Sequence, residues 1–371
     1  MVGAILRKFG EEIRMRVLFV TEDLANGGSE RVISVLANGF SREHTSAVVA
    51  IRRDRVKYSL EKEVVYFPFK DENKGKLSRT FGRVLFLVRA IRQFKPEVVV
   101  AFDVVPIVYA SLACKICRKK LVVSERANPE KHTGRSAGLY FRAFEGAEGA
   151  VFQTQDAKQF FSAAVQSKGT IIPNPINEEF VVERYEGARE KEIVTACRLN
   201  KQKNLRLFID IVSDIHKNHP DYNGIIYGDG SECEDLKAYA RENGAENCIR
   251  FAGRVDNVRD RIYRSQFYLC TSDFEGISNS MLEAMSLGLN VVSTDCPVGG
   301  ARMAINSGVN GMLFPVGDGK AAVDAIEALI SDPEKSEQMG RAASRICEKW
   351  SSKSIVEEWV RYLQQIVNVR K

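Results

Sequence analysis

Short β-branched runs alternate with stretches of helical period from one end of the chain to the other. In the first half the strand-like runs are RVLFV (16–20), SAVVAI (46–51), EVVVAF (97–102), LVVSE (121–125) and GAVFQT (149–154). In the second half they are EIVTAC (192–197), NGIIYG (223–228), IRFAG (249–253), FYLCT (267–271), NVVST (290–294) and GMLF (311–314). Apolar runs separated by helices indicate parallel sheets covered on both faces. The pattern predicts an α/β protein with two doubly wound parallel sheets.

The alternation is broken once, at IIPNPINEEF (171–180), where two prolines within three residues can continue neither a helix nor a central strand. The expected organisation is a first domain over 1–172 and a second over 173–350. A terminal amphipathic helix over 351–371 carries Ile355, Trp359 and Leu363 at spacing four and is expected to pack back on the first domain. In doubly wound sheets ligands sit at the carboxyl ends of the strands, so the loops that follow strands are where chemistry is sought.

At 371 residues the chain is long enough for two domains that each bury a core. With 44% hydrophobic and 27% charged residues, neither disorder nor a fibrous repeat is indicated. Charge is uneven. Residues 1–180 hold 29 basic against 20 acidic side chains, a balance of +9, and residues 181–371 hold 25 against 28, or −3. The basic first half suggests an anionic partner there; a solvated basic face is the plainer alternative.

The eight cysteines are scattered, several of them within strand-like runs where a thiol acts as a small apolar group. Cys114 and Cys117 form a C-x-x-C with no second pair to complete a zinc set, and read as neighbours on one helix face. No apolar run approaches the roughly 18–20 residues that span a bilayer. The opening 14 residues lack the core and cleavage pattern of a signal peptide. They read as an extension or a short interfacial helix, and the expected compartment is the reducing cytoplasm.

Three loops carry candidate chemistry. TEDLANGGSERV (21–32) places Gly27 and Gly28 at a helix start, where backbone N–H groups can approach an anion. CRLNKQKNLRLFI (197–209) sets Arg198 and Lys203 at a strand–helix junction; an Arg fork and a Lys point charge suit a diphosphate. TSDFEGISNSMLEAMSLGLNVVST (271–294) runs from strand to loop to helix to strand, with Glu275 in the loop and Glu283 in the helix. Carboxylates accept hydrogen bonds from sugar hydroxyls. Ser280-x-x-Glu283 also matches a capping box, which would make Glu283 a helix-start device instead.

In order along the chain, NGGSERV, VVSERANP, IIPNPI, CRLNKQKN, IIYGDGSECEDL, FAGRV, FEGISNSMLEAMSLGLNVVSTDCPVGG and NGMLFPVGD resemble the pattern of glycosyltransferase family 4, of GT-B fold. The likeness covers nearly the whole chain. It implies two Rossmann-like domains facing a cleft and transfer of a hexose or N-acetylhexosamine from a nucleotide-sugar, a UDP-sugar by preference, with retention of anomeric configuration. No cofactor or metal is implied.

The resemblance also assigns residues. Glu283 would hold the donor ribose and Glu275 a sugar hydroxyl. Gly276, Ile277, Ser278 and Asn279 would offer backbone N–H groups. Arg198 and Lys203 would neutralise the departing diphosphate, with Gly27 and Gly28 closing over it. Gly228 and Gly230 would line the nucleotide side, with Arg254 and Val255 near the base. Where many relatives carry a histidine after the strand corresponding to LVVSE, this chain has Glu125, Arg126 and Asn128 on the acceptor side, with His132 further on.

SERANP and DCPVGG are similar to relatives that build bacterial surface polysaccharides or lipid-linked oligosaccharides. The expected acceptor is a saccharide or a polyprenyl-diphosphate-linked saccharide, with an anionic membrane surface as a further partner and no nucleic acid. A GT-B nucleotide-sugar epimerase and a non-enzymatic anion-binding module are the alternatives.

Overall fold

The structure is a computed structural model describing residues 14–25, 27–52, 54–70, 76–133 and 135–368. Apart from Arg14, the opening segment read as an extension or interfacial helix lies outside the described residues. Among the described residues, no helix is long and apolar enough to cross a membrane.

The first sheet contains β1 (Arg16–Thr21), β2 (Thr45–Ala50), β3 (Val65–Pro68), β4 (Val98–Phe102), β5 (Lys120–Glu125), β6 (Gly149–Phe152) and β7 (Gly169–Ile171), in the order β3-β2-β1-β4-β5-β6-β7. The second contains β8 (Glu190–Ala196), β9 (Asn223–Tyr227), β10 (Ile249–Gly253), β11 (Ser265–Cys270), β12 (Asn290–Thr294) and β13 (Met312–Phe314), in the order β10-β9-β8-β11-β12-β13. The pairings from β1 to its neighbours and across the second sheet are parallel. Both sheets are doubly wound, and strand order reverses between β1 and β4 and between β8 and β11. Those reversals open the crevices where ligands of such sheets bind.

Two strands escaped the sequence pattern. β3 reads VYFP, is only half-buried and ends in a proline; β7 is three residues long and leads into the proline segment. Both are edge strands, where burial on two faces no longer imposes a continuous apolar run.

By compactness the chain forms two units. The first is Met1–Ser124, Gly134–Ala150 and Val356–Lys371; the second is Glu125–Thr133 and Val151–Ile355. In the first, Val17, Leu18, Phe19 and Val20 of β1 and Val98–Phe102 of β4 are fully buried. The end of the last helix, Ser352–Asn368, belongs to this unit from Val356 onward. Its Trp359 is fully buried and stacks on Phe102, ring centroids 5.7 Å apart. Lys120 Nζ donates to the carbonyls of Ile366 (2.7 Å) and Val367 (2.9 Å), a cation placed on the helix's unsatisfied C-terminal acceptors.

In the second unit one core lies around Phe208, Ile209, Val212 and Ile215 of the helix Leu205–Asn218. A second core, around Met281, Leu282 and Met285 of the helix Asn279–Ser286 and Trp350, takes in Val194, Tyr268 and Val291 from the sheet. Each of these helices packs its apolar residues against the buried parts of the strands; β8 itself opens on exposed Glu190 and Lys191 before its buried run Ile193–Ala196.

Candidate active site in the second unit

The site forms where strand order reverses, in the loops that leave β8 and β11. After β8 the chain makes a 3₁₀ turn, Lys201–Lys203, then passes through Asn204 in the left-handed region (φ 43°) before the helix Leu205–Asn218 begins. After β11 the loop 271–278 leads into the helix Asn279–Ser286. Hydrogen bonds stitch the two loops together. Thr271 Oγ1 donates to the Lys203 carbonyl (2.9 Å), Asp273 N–H to the Gln202 carbonyl (2.9 Å) and Asn204 Nδ2 to Asp273 Oδ1 (2.8 Å). On its other side, Glu275 N–H donates to the Pro297 carbonyl (2.8 Å) and Val298 N–H to the Glu275 carbonyl (3.0 Å).

This scaffold brings Lys203 and Glu275 into contact, 72 residues apart in sequence. The Lys203 ammonium donates to Glu275 Oε2, which also accepts from Ser272 Oγ at 3.3 Å. Both side chains are mostly buried. Burial opposes the charged lysine, but the Glu275 carboxylate outweighs it, so the Lys203 pKa lies above its ordinary value. Arg198, by contrast, is exposed, and among the described residues its guanidinium has no protein partner. Lys203 lines a small cavity with Thr195, Cys197, Tyr268, Ser272 and Ser278. Burial pushes the Cys197 thiol up to about 12, and that of Cys296 likewise to about 12.

The helix Asn279–Ser286 is capped by Ser278, whose hydroxyl accepts from Met281 N–H at 3.4 Å. Ser280 instead accepts a hydrogen bond from the Tyr268 hydroxyl (2.8 Å). The capping box read at Ser280 and Glu283 is therefore not formed: the helix starts two positions earlier than that box needs, and Glu283 falls beyond the third helical position. Glu283 is 5% exposed, a carboxylate buried for some reason other than capping. At the far end the Gly288 N–H donates to Met285 (2.9 Å) and the Leu289 N–H to Ala284 (3.1 Å), with Gly288 at φ +74°: a Schellman close that only glycine adopts without strain.

Gly228, at φ +131°, ends β9 so close to β8 that a Cβ there would collide with the Cys197 carbonyl, and Gly230 follows in the same turn against Leu199. Arg254 is exposed, and Val255 packs at the margin of the core around Met281. Gly27 and Gly28 belong to the first unit, where Gly27 is the N-cap of the helix Gly28–Glu43 that follows β1.

The segment after β5 is built inwards. Glu125, 3% exposed, accepts from Ala127 N–H (2.7 Å) and pairs with His132 Nε2 (3.0 Å). Asn128 caps the turn Pro129–Lys131 through Glu130 N–H (3.0 Å). Arg126 NH1 donates to the carbonyls of Ile172 (3.3 Å) and Asn174 Oδ1 (3.1 Å). Lys131 Nζ lies 4.9 Å from the centre of the Phe274 ring, next to Glu275.

Sequence reasoning passed over Gln153 and Asn174, which grip the Glu275 loop from elsewhere in the unit. The signal for Asn174 was an amide between the two prolines of the segment read only as a linker. Gln153 carried none.

The comparisons with known proteins agree with this architecture. Residues 26–180 match the family model of Glycosyltransferase Family 4, and residues 178–346 match that of Glycosyl transferases group 1. The chain belongs to this glycosyltransferase family, with the two doubly wound sheets of the GT-B fold. It is 25% identical over 367 residues to a Campylobacter jejuni enzyme, covering 95% of this chain and 99% of that one. That relative is named GalNAc-alpha-(1->4)-GalNAc-alpha-(1->3)-diNAcBac-PP-undecaprenol alpha-1,4-N-acetyl-D-galactosaminyltransferase. This chain is also 26% identical to a lipopolysaccharide 1,6-galactosyltransferase of Salmonella typhimurium, over 82% of this chain and 86% of that one. Among solved structures, Anabaena HepE in complex with UDP and glucose superposes with a TM-score of 0.83 at 20% identity, covering 95% of this chain and 100% of that one.

Proposed function

We propose that the chain is a retaining, metal-independent hexosyltransferase that moves a hexose or N-acetylhexosamine from a UDP-sugar to a polyprenyl-diphosphate-linked or other saccharide acceptor. The observation that carries this reading is the pairing of Lys203 with Glu275 at the crevice between β8 and β11, with Arg198 exposed on the same loop as Lys203 and Glu283 buried on the adjoining helix. In transfer, the bond from the anomeric carbon to the diphosphate breaks while the acceptor oxygen bonds to that carbon, and negative charge grows on the departing oxygens. Arg198, exposed, and Lys203, already shared with Glu275, are the cations for that charge. Glu275 and Glu283 accept from sugar and ribose hydroxyls. The N–H groups of Gly276, Ser278 and Asn279, which have no protein acceptor among the described residues, suit the diphosphate.

The Campylobacter relative, named for an undecaprenol-linked saccharide, and the HepE complex with UDP support the acceptor and the nucleotide. The first unit supports action at an anionic membrane surface on the inner face of the cell. Its helices Lys76–Phe94, Val104–Cys117 and Arg135–Gly146, packed side by side, contain eight Lys or Arg and one acid, Glu145. They also expose Phe81 (72%), Ile116 (56%) and Leu139 (53%). A panel of UDP-, GDP- and ADP-sugars, with turnover followed in EDTA and the product anomer read by NMR, tests the reading. UDP-sugar turnover in chelator with a retained anomer is expected; loss restored by Mn²⁺, an inverted product, or interconversion of free donors without transfer would sink it.

A further inference from the structure

We infer that Gln153 and Asn174 are positioning residues of the donor loop: they fix the Gly276–Asn279 backbone on which the proposed function, and hence this inference, places the sugar diphosphate. Both amides are 3% exposed. Asn174 uses its full hydrogen-bonding capacity. Its Nδ2 donates to the Ile277 carbonyl (3.3 Å) and to Asn279 Oδ1 (2.7 Å), and its Oδ1 accepts from Gln153 Nε2 (2.7 Å) and Arg126 NH1 (3.1 Å). Gln153 Oε1 in turn accepts from the Ile277 N–H at 3.0 Å. Turning the Asn174 amide over would set its NH₂ against two donors and its oxygen against two acceptors, so the network admits one orientation.

Ile277 is therefore held at both its N–H and its C=O by side chains distant in sequence, and Gly276 lies against the same support. A Cβ there would collide with Gln153 Oε1 and come within 2.9 Å of the Arg126 carbonyl. With its own N–H committed to Gln153, Ile277 acts as the anchor, and the flanking N–H groups of Gly276, Ser278 and Asn279 are the ones left for a ligand. A displacement of about 1 Å in such donors costs about 10²-fold in rate. Buried amides bonded at nearly every valence hold a loop more firmly than water-bridged contacts would. They are costly to leave half-satisfied, so removing one member releases the loop.

The test compares the full chain with Gln153→Met, which keeps the side-chain length and removes the acceptor, and with Asn174→Ala. Binding of uridine, UDP and the turned-over UDP-sugar is measured by NMR and calorimetry, alongside kcat, thermal unfolding and amide exchange at Ile277. The expected result is a loss of about tenfold or more in UDP and UDP-sugar affinity and in kcat, with uridine within about twofold. Ile277 exchange should accelerate while the rest of the helix Asn279–Ser286 keeps its protection. If Asn174→Ala does not fold, Gln153→Met alone decides. Unchanged donor affinity and kcat in Gln153→Met, or equal losses for uridine and donor that track unfolding temperature, would overturn the inference while leaving the donor reading intact. A wild-type chain that binds none of the three ligands overturns the donor reading and this inference with it.

Discussion

Along the loop after β8 the two cations meet different surroundings: Arg198 is exposed, and Lys203 is buried against Glu275. The difference separates their variants. Arg198→Ala should lower kcat by about 10²–10³ while donor KM changes little, because its charge acts on oxygens that become negative as the bond breaks. Its unfolding should shift by no more than about 0.5 kcal/mol, as for other exposed truncations. Lys203→Ala should lose kcat similarly and also lose stability, since it leaves a mostly buried carboxylate without its cation, a change worth about 3–5 kcal/mol. Steady-state kinetics with denaturant unfolding checks both; wild-type kcat in both variants would remove them from the mechanism. A lysine whose pKa is raised contributes stability fully below its unfolded value of about 10.4, and the contribution is lost only as pH climbs through the higher folded value. No limb of a neutral-range pH–rate profile should therefore belong to Lys203. Glu283→Gln is the matching test of the buried carboxylate. Because Ser278 caps the helix, the substitution should weaken donor binding by about tenfold with little change in melting temperature, and unaltered donor affinity would return Glu283 to a packing role.

Among the elements, the last helix offers the clearest energetic test. Trp359 has no exposed surface and stacks on Phe102 of β4. Trp359→Ala removes the largest fully buried side chain and should cost about 3–5 kcal/mol, measured by urea unfolding, because a site walled by a strand collapses only partly. A cost under about 1 kcal/mol would mean that the helix is not docked through this residue. Its spacing-four stripe of Ile355, Trp359 and Leu363 was visible in the sequence, as were most of the strands, since a strand buried on both faces must be apolar along its length. Short edge strands such as β3 and β7 carry no such mark. The same limit governed the site. FEGISNSMLEAMSLG could be read directly, because loop, cap and glycine close follow one another in sequence. The capping box was misplaced by two residues because Ser278 and Ser280 are both competent caps, and only the third dimension gives Ser280 to Tyr268. The pairing of Lys203 with Glu275 joins loops 72 residues apart, and the grip of Gln153 on Ile277 spans 124. Neither leaves a periodic trace.

For the molecule as a whole, charge is the property that no single element shows. The sequence divides into a basic first half, +9 over residues 1–180, and a mildly acidic remainder of −3. The first unit concentrates this on three neighbouring helices that hold eight basic residues, one acid, and the exposed Phe81, Leu112, Ile116 and Leu139. Cations near an anionic bilayer contribute about 1 kcal/mol each, and inserted apolar side chains add a contribution that salt does not screen. The two can be told apart. In vesicle flotation the wild-type chain should bind anionic and not neutral vesicles, and binding should fall as salt rises past the point where the Debye length is about 8 Å. Reversing charge at Arg89 and Arg142, both exposed, should weaken binding at low salt, whereas Phe81→Ser with Ile116→Ser should remove the part that survives high salt. Turnover of a soluble saccharide acceptor should stay unchanged in all four substitutions, since none lies in the crevice between β8 and β11. Equal flotation of wild type and variants, or none on anionic vesicles at low salt, would leave the acceptor to be met in solution and the basic helices to solubility alone.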